Sequence, residues 1–466
     1  MIEGGAYQGS QIFENCLPSV YNIAIQNLNV KAMRTSFSSS PSSRKAGLGM
    51  KIGLISFHSF VQPGGVKNHV LGLHKEFIKR GVQSKIIVPR RSRLENYGKD
   101  VILLGTSFPF SFSGSQSDFC INFNPSAIEA LLKKERFDVL HFHNFGFPSV
   151  FQILKRSDVL NILTMHANLE GSRLFKKFPT FLYLINKIVR WKIDGIVGVA
   201  PLTLKFFKNF QGPKLVIPNG IDLEEFNPNI PKIKRFSDGK IKAFNKLSLD
   251  SEQRQRVNLL FVGRIEKRKG LIYLLKAYKI LIKKFPNLRL IAVGEGPLKV
   301  KCQQWAKKNN LTEVCFVGEK TGKELPQYYA SSDIFCSPAI FGESFGIVLL
   351  EAMASGLPIA AFANQGYKEF MKGKKGEEFL ARPKDYKALA KKIEILAQDN
   401  LLRKKIGEWG IKEAQNYSWQ KIADEVLEFY QSCSKTKQRK LRKKEHFLFD
   451  KFIDKAYNKE ILSWLK

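Results

Sequence analysis

From Met50 onward the chain alternates short apolar runs with longer stretches in which apolar residues recur every three or four positions. The first run, Lys51-Ile52-Gly53-Leu54-Ile55-Ser56-Phe57, reads as a buried strand. Further strand candidates follow at 84–88, 139–143, 160–165 and 195–199, with amphipathic helices at 68–80 and 125–135 among them. A second series opens at Asn258-Leu259-Leu260-Phe261-Val262-Gly263 and continues at 289–293, 314–317, 334–337 and 358–362. Its helices fall at 271–284, 324–330 and 348–354. Strands alternating with helices at this spacing build parallel sheets covered on both faces. Two such series in one chain predict an α/β protein of two Rossmann-like domains with a cleft between them.

The pattern breaks in three places. Residues 1–49 hold a serine-rich run at 36–43, no clear periodicity and no apolar stretch of signal-peptide type. They read as a disordered leader or a misassigned start, with Met50 as the functional one. A targeting peptide is the alternative, since the leader is short of acids and carries Arg34 and Arg44 near its serines. The polar, basic stretch 231–256 exceeds the usual length of an ordered connection and predicts a mobile surface insertion. The organisation expected is thus a first domain at 50–216, a second at 217–415, a helix at 416–432 returning to the first, and a basic tail at 433–466. The tail opens on the cationic run 435–444 and ends in an aromatic-apolar stretch.

Charge changes the picture more than length does. The 466 residues include 76 Lys and Arg against 41 Asp and Glu, a net charge of +35. Such an excess favours anionic partners: nucleic acid, an anionic membrane surface or phosphorylated small molecules. The 44% hydrophobic content rules out disorder throughout. Cys16, Cys120, Cys302, Cys315, Cys336 and Cys433 are scattered without a Cys-x-x-Cys pair, which argues against a disulfide framework or a zinc site and for a reducing cytosol. No apolar run reaches the roughly 18 residues that would suggest a membrane-spanning helix. The histidines show no metal-ligand spacing; His141 and His143 share one face of a strand without an evident third ligand.

Four segments could carry chemistry. In Phe341-Gly342-Glu343-Ser344-Phe345-Gly346-Ile347-Val348-Leu349-Leu350-Glu351, a strand is followed by a helix start, so backbone N–H groups near Phe345, Gly346 and Ile347 can hold an anion. Glu351 lies within an apolar helix and needs a ligand hydroxyl or a basic group as partner; alternatively Glu343 caps the helix and Glu351 pairs with a lysine. Gly263-Arg264-Ile265-Glu266-Lys267-Arg268-Lys269-Gly270 places cations at a strand end, suited to a diphosphate or simply solvated. Gly64 and Gly65 follow the first strand and permit close backbone approach to a phosphate or sugar, or serve only their turn. They do not form G-x-G-x-x-G, so a nicotinamide fingerprint is not supported. His166 ends a strand of the first domain, where either a structural or a catalytic role is open. There is no Asp-x-Asp to clamp a metal-bridged diphosphate.

Taken together these segments resemble a known family. Glu343…Glu351 has the Glu-x7-Glu spacing of retaining, nucleotide-sugar-dependent glycosyltransferases of family 4 (group 1). Gly64-Gly65, Ile217-Pro218-Asn219-Gly220-Ile221-Asp222, Gly263-Arg264…Lys269-Gly270 and Val293-Gly294-Glu295-Gly296-Pro297 fall in that family's order. The resemblance covers roughly residues 50–431 and implies the GT-B architecture, two Rossmann-like domains facing across a cleft. Within the family the chain is most similar to phosphatidylinositol mannosyltransferases, through Pro63-Gly64-Gly65-Val66-Lys67-Asn68-His69-Val70, Phe137-Asp138-Val139-Leu140-His141-Phe142-His143 and the Gly342–Leu349 stretch. It departs from them at Asn144, where an acid is usual, at Ala167-Asn168, where small hydroxyl residues are usual, and at Ala200, where a serine is usual.

The resemblance implies that Arg264 and Lys269 neutralise a leaving diphosphate, with backbone N–H groups at Glu343, Ser344, Phe345, Gly346 and Ile347. Glu343 would hold donor-sugar hydroxyls, Glu351 the ribose, and Gly64, Gly65 and Gly294 would line the donor site, with His166 near the reacting carbon. It implies a nucleotide-sugar donor, GDP-mannose by preference and a UDP-sugar as alternative, a lipid or glycan acceptor, and no cofactor or metal. The stretch 171–193 mixes apolar residues, Leu184 and Ile185 among them, with Arg173, Lys176, Lys177, Lys187 and Arg190. It is either a core helix with a wet face or a surface for an anionic membrane. A cytoplasmic protein, peripheral on the inner face of the plasma membrane, is expected. A nucleotide-sugar epimerase would share the architecture but not the Glu-x7-Glu segment. Binding of nucleic acid has only the net charge in its favour, and no recognition-helix or zinc motif accompanies it.

Overall fold

The computed structural model of the chain describes residues 49–61, 64–92, 94–112, 115–145, 148–167, 179–233 and 256–436. Nearly all of the leader, most of the 231–256 insertion, most of the tail, and Arg173, Lys176 and Lys177 lie outside the described residues.

The first lobe runs β1 (Lys51–Ser56), α1 (Gly65–Lys79), β2 (Gln83–Arg90), β3 (Val101–Phe112), β4 (Ser115–Ile121), α2 (Pro125–Glu135), β5 (Val139–His143), α3 (Ser149–Arg156), β6 (Leu160–Met165), α4 (Pro179–Lys192), β7 (Gly195–Gly198), α5 (Pro201–Leu204) and β8 (Lys214–Val216). Its strands form one eight-stranded sheet in the order β4-β3-β2-β1-β5-β6-β7-β8. The second lobe runs β9 (Val257–Val262), α6 (Leu271–Leu281), β10 (Leu288–Val293), α7 (Lys299–Lys308), β11 (Val314–Gly318), α8 (Glu324–Ala330), β12 (Ile334–Ser337), α9 (Ile347–Ala354), β13 (Ile359–Phe362), α10 (Gln365–Met371), β14 (Leu380–Ala381), α11 (Tyr386–Gln398) and α12 (Asn400–Ala414). Its sheet has six strands in the order β11-β10-β9-β12-β13-β14. In each sheet the order reverses beside the first strand, between β1 and β5 and between β9 and β12. Ligands of open α/β sheets bind at such switch points, beyond the carboxyl ends of the strands.

The continuous apolar runs have the cause the sequence suggested: each sheet carries a hydrophobic cluster on both faces. Leu259, Phe261 and Leu290 look one way while Leu260, Val262 and Ile291 look the other. The first sheet divides likewise, with Ile52 and Leu54 on one side and Ile55 on the other. One part of the first sheet escaped the reading. Strands β3 and β4 pair antiparallel at its edge, with Pro109 opposite Asp118. Gly105 at φ 78° bends β3 there, and proline and glycine within a run argue against a strand unless it lies at an edge or a bulge. That exception applies here.

The last helix, α13 (Trp419–Lys435), leaves the second lobe and completes the core of the first. Trp419, Ile422, Val426, Phe429 and Tyr430 pack with Ile52, Leu54, Val70 and Phe77. Arg80 ties the two helices by donating to the Gln420 carbonyl at 2.7 Å and to Asp424 at 3.1 Å. The Trp419 indole lies against Gly72 of α1 and against Gly220, and a Cβ at either glycine would overlap it. At the same place Ile221 N–H donates to the Tyr417 carbonyl at 2.8 Å and Lys75 pairs with Asp222 at 2.7 Å. The Asn219-Gly220-Ile221-Asp222 segment is therefore the junction of α1, the inter-lobe connection and the returning helix.

Gly72→Ala tests this junction with opposing effects. Alanine improves an exposed helix interior by about 1 kcal/mol, whereas overpacking a filled site costs about 1–3 kcal/mol. A lower Tm is expected by thermal unfolding, and an unchanged or raised Tm would mean that Trp419 yields.

Candidate functional site

At the second switch point β9 ends in Gly263, φ 153°, and Gly270, φ 70°, opens α6. Gly270 and Gly294 accommodate neighbouring backbone: a Cβ at Gly270 would meet the Pro338 carbonyl, and one at Gly294 would meet that of Gly263. The cationic turn is folded around two carboxylates. Glu266, 4% exposed, receives Arg268 at 3.0 Å and Arg264 at 3.9 Å. Glu343 receives Arg268 at 2.6 Å and Lys269 at 2.8 Å on one oxygen, Oε1. Arg268 also donates to the Gly342 carbonyl at 3.2 Å. Burial pushes the Glu343 carboxyl up, but Lys269 and Arg268 outweigh it and hold the group below the usual range. Three cations thus face two carboxylates, leaving positive charge beside the N-terminus of α9.

The capping role left open for Glu343 is not the one it has. Gly346, φ 92°, is the N-cap of α9 and no side chain caps it. In this first turn the Leu349 N–H donates back to the Gly346 carbonyl at 2.9 Å, while the N–H groups of Ile347 and Val348 precede the regular helical ladder. Glu351 is buried in α9 as expected, and its partner within the protein is a phenol rather than a base. Tyr329 O–H donates to its Oε2 at 2.7 Å. Burial raises the Glu351 carboxyl to about 7, opposed by that hydrogen bond. Arg268, Glu266 and Tyr329 were not singled out from sequence. Arg268 was visible there only as one more cation of the turn, and the Tyr329 contact joins residues 22 positions apart.

At the first switch point the sequence expectation needs correcting. The histidines do cluster: His69, His143 and His166 each offer a nitrogen, and these nitrogens lie within 4.8 Å of one another. His143 ends β5, His166 follows β6, the adjacent strand, and His69 comes from α1, so only the fold assembles them. His143 Nδ1 and His166 Nε2 are hydrogen-bonded at 3.1 Å, and His69 Nδ1 meets Asn219 Oδ1 at 2.8 Å. Burial lowers all three imidazoles, His69 to about 4, so they are neutral at pH 7. Asn144 adopts φ 64°, a conformation asparagine tolerates better than most residues. Its Oδ1 accepts the backbone N–H of His166 at 2.8 Å. His141 is structural: it bonds Tyr430 and Thr164, each at 2.6 Å, and fastens α13 to the sheet.

Gly64 and Gly65 stand at the start of α1, where a Cβ on either would meet nothing within 4 Å. The helix start is thus open, while the glycines are under no backbone constraint. In α4 Ile185 is buried in the core and Leu184 packs against it, so neither belongs to a membrane surface. Over residues 183–192 of that helix Tyr183, Lys187 and Arg190 are exposed. Ala200 is the N-cap of α5 and supplies no side-chain cap, whereas a serine there could.

Comparison with known proteins adds to this geometry. The family described as Glycosyl transferases group 1 matches residues 243–413, and Glycosyltransferase Family 4 matches residues 63–225. The phosphatidyl-myo-inositol mannosyltransferase of Mycobacterium tuberculosis strain H37Rv is 28% identical over 396 residues, covering 83% of this chain and 97% of its own. The fold is that of sucrose-phosphate synthase from Thermosynechococcus elongatus, TM-score 0.64 at 20% identity, covering 83% of this chain and 100% of that one. Anabaena HepE in complex with UDP and glucose is similar at TM-score 0.61 and 18% identity, covering 82% and 100%.

The Glu351–Tyr329 pair predicts a pH dependence. A carboxyl raised from about 4.3 in the unfolded chain to about 7 in the fold keeps a proton that the unfolded chain loses. Stability from this group is therefore full at low pH and falls as pH rises through that window. Relative to Glu351→Gln, the parent should lose about 2 kcal/mol between roughly pH 5 and pH 8. Urea unfolding at both values checks it, and a difference that does not change with pH would show that the carboxyl is not raised.

Proposed function

For a chain that belongs to the group 1 glycosyltransferases of family 4, with the GT-B fold, we propose transfer of mannose from GDP-mannose, with retention, to a hydroxyl of a phosphatidylinositol-like lipid. The observation that carries the donor half is the cation cluster of Arg264, Arg268 and Lys269 at the β9/β12 switch point, beside the open first turn of α9. The acceptor half is supported by similarity to the mycobacterial mannosyltransferase along nearly all of that protein's length.

In this reading Arg264 and Lys269, positioned with Arg268, stabilise the diphosphate as it leaves, together with N–H groups from Glu343 to Ile347. Binding of a diphosphate would compete with Glu343 for Lys269 and release that carboxylate toward the hydroxyls of the donor sugar. Glu351 meets the ribose, and Gly294 keeps the backbone close. The open start of α1 at Gly64 and Gly65 receives the diphosphate from the other lobe. His166 stands by the reacting carbon as a neutral imidazole able to bond a sugar hydroxyl. The acceptor attacks the face from which the phosphate leaves, and the departing phosphate oxygen takes its proton. The carbon–oxygen bond to phosphate breaks as the new glycosidic bond forms. Protein cations perform the charge neutralisation, and the reading includes no metal or cofactor.

No helix among the described residues is long and apolar enough to cross a membrane. Contact with an anionic bilayer, on the cytoplasmic face, would be peripheral, through Lys187 and Arg190 of α4 with Arg173, Lys176 and Lys177 before it and the tail cations beyond. A UDP-sugar donor is the second reading. HepE, of similar fold, binds UDP and glucose, and a base read by backbone groups near Phe316 and Gly318 leaves no side-chain signature.

Thermal stability of the full-length chain with GDP, UDP and ADP, each with and without magnesium, separates the donors. A nucleotide at 100 times its Kd adds about 2.7 kcal/mol. A rise with GDP alone, indifferent to magnesium, is expected; a rise with UDP instead would keep the fold and overturn mannose as the donor sugar, and no rise at all would remove the donor site. Lys269→Ala should lower kcat by about 10²–10³ in a folded protein, and wild-type turnover would refute the role of the cluster. Flotation with anionic vesicles at low salt should carry the chain to the top of the gradient; failure to float would count against the lipid acceptor.

A further inference from the structure

We infer that His69, His143 and His166 form a binding site for a borderline-soft divalent cation of the Zn²⁺ type, in the first lobe whereas the donor-binding cations belong to the second, whose occupation blocks glycosyl transfer. The binding half stands on the imidazoles alone. The blocking half rests on the place given to His166 in the proposed reaction.

Zinc takes imidazole nitrogens at about 2.0–2.1 Å, and a tetrahedron of that size sets its ligands about 3.3 Å apart. His143 Nδ1 and His166 Nε2 already stand at 3.1 Å. His69 closes the triangle, with all three donor nitrogens inside 4.8 Å, and its ring lies 4.7 Å from that of His166, centroid to centroid. Its Nδ1 is engaged by Asn219 Oδ1, which as a carbonyl oxygen accepts the proton and fixes the tautomer that leaves Nε2 with a lone pair. A hydrogen-bonded second nitrogen is the usual support of a metal-bound histidine. His143 Nε2 is buried and has no partner among the described residues. That nitrogen is free to carry the ring proton when Nδ1 gives its lone pair to an ion.

The chemistry of the set selects the ion. Metal binding requires neutral imidazole, and these rings are held neutral by burial. Three nitrogens with no carboxylate in the group suit Zn²⁺, Co²⁺, Ni²⁺ or Cu²⁺ and not the oxygen-seeking Mg²⁺ or Ca²⁺. Three protein ligands leave a fourth position open. An ion there replaces the His143–His166 hydrogen bond with two coordinate bonds, the shared proton passing to the remote nitrogen of its own ring, and takes from His166 the nitrogen a sugar hydroxyl would use. The site would act as a brake on the enzyme, and catalysis itself would remain independent of metal.

The test uses the full-length chain without a histidine tag, freed of metal by a chelator and titrated with Co²⁺. Visible absorption bands of a low-coordinate Co²⁺ complex, saturating at one equivalent, are expected. His69→Ala and His143→Gln should weaken binding about tenfold or more, and His74→Ala, on the same helix but bonded to Ser84, should not. The nucleotide-induced rise in Tm, retained in each variant, shows that the fold and donor site persist. Absence of the bands, or bands that survive both substitutions, would overturn the site. Equimolar Zn²⁺ should suppress transfer about tenfold while Mg²⁺ leaves it unchanged; full turnover in the zinc-loaded chain would overturn the brake and the place of His166, with the site itself intact.

Discussion

The packing of Trp419 on two glycines is the constraint on which the rest of the molecule turns. The indole fills the space that side chains at Gly72 and Gly220 would occupy, and its edge meets His69 at 5.3 Å between ring centroids. Three pieces of chain far apart in sequence meet here: a helix of the first lobe, the connection between lobes and the helix that returns from the second. Because protein interiors are packed close to crystal density, such a contact has little slack. It sets where α1 starts and how His69 is presented, and it brings Asn219 within hydrogen-bond distance of that imidazole. The core of the first lobe is thus completed by residues more than 200 positions beyond its last strand.

Electrostatics divides the two switch points. In the second lobe, charges are concentrated and mutually satisfied: Arg268 bridges Glu266 and Glu343, and Lys269 shares the latter. Burying one such carboxylate alone would be prohibitive, and burying the cations without it would be as well. The arrangement keeps cationic side chains in place with no ligand bound, yet leaves them with a surplus of charge for an incoming anion. In the first lobe the same topological position holds imidazoles that burial keeps uncharged. One switch point is thus lined by cations held on carboxylates and the other by uncharged imidazoles.

Much of this was legible in the sequence because it depends on periodicity and local chemistry. Two-sided burial makes parallel strands nearly continuous apolar runs, so β5, β6 and β12 were readable almost to the residue. The Gly263–Gly270 turn was readable because its glycines bracket the cations. What escaped depends on tertiary neighbours. The β3–β4 hairpin is disguised by Pro109 and Gly105, permissible only at an edge. The partner of Glu351 is a tyrosine on another helix, and no local rule selects it. The three histidines lie at 69, 143 and 166; their spacing resembles no metal motif, since it reflects the right-handed crossovers that bring β5, β6 and α1 to one crevice.

One departure from the resembling subfamily, Asn144, falls on the same crevice. Asn144 occupies a left-handed backbone position next to His143 and holds the N–H of His166 with its side chain. An acid at this position could make the same hydrogen bond, but it would also set a negative charge beside the imidazoles and favour their protonation. With asparagine the hydrogen bond remains and the charge is gone. The substitution therefore preserves the geometry of His166 while keeping its ring neutral, which is the state in which it can accept a hydrogen bond from a sugar hydroxyl or give a lone pair to a cation. The residue that departs from the pattern is thus the one that fixes the backbone of His166 without charging the crevice.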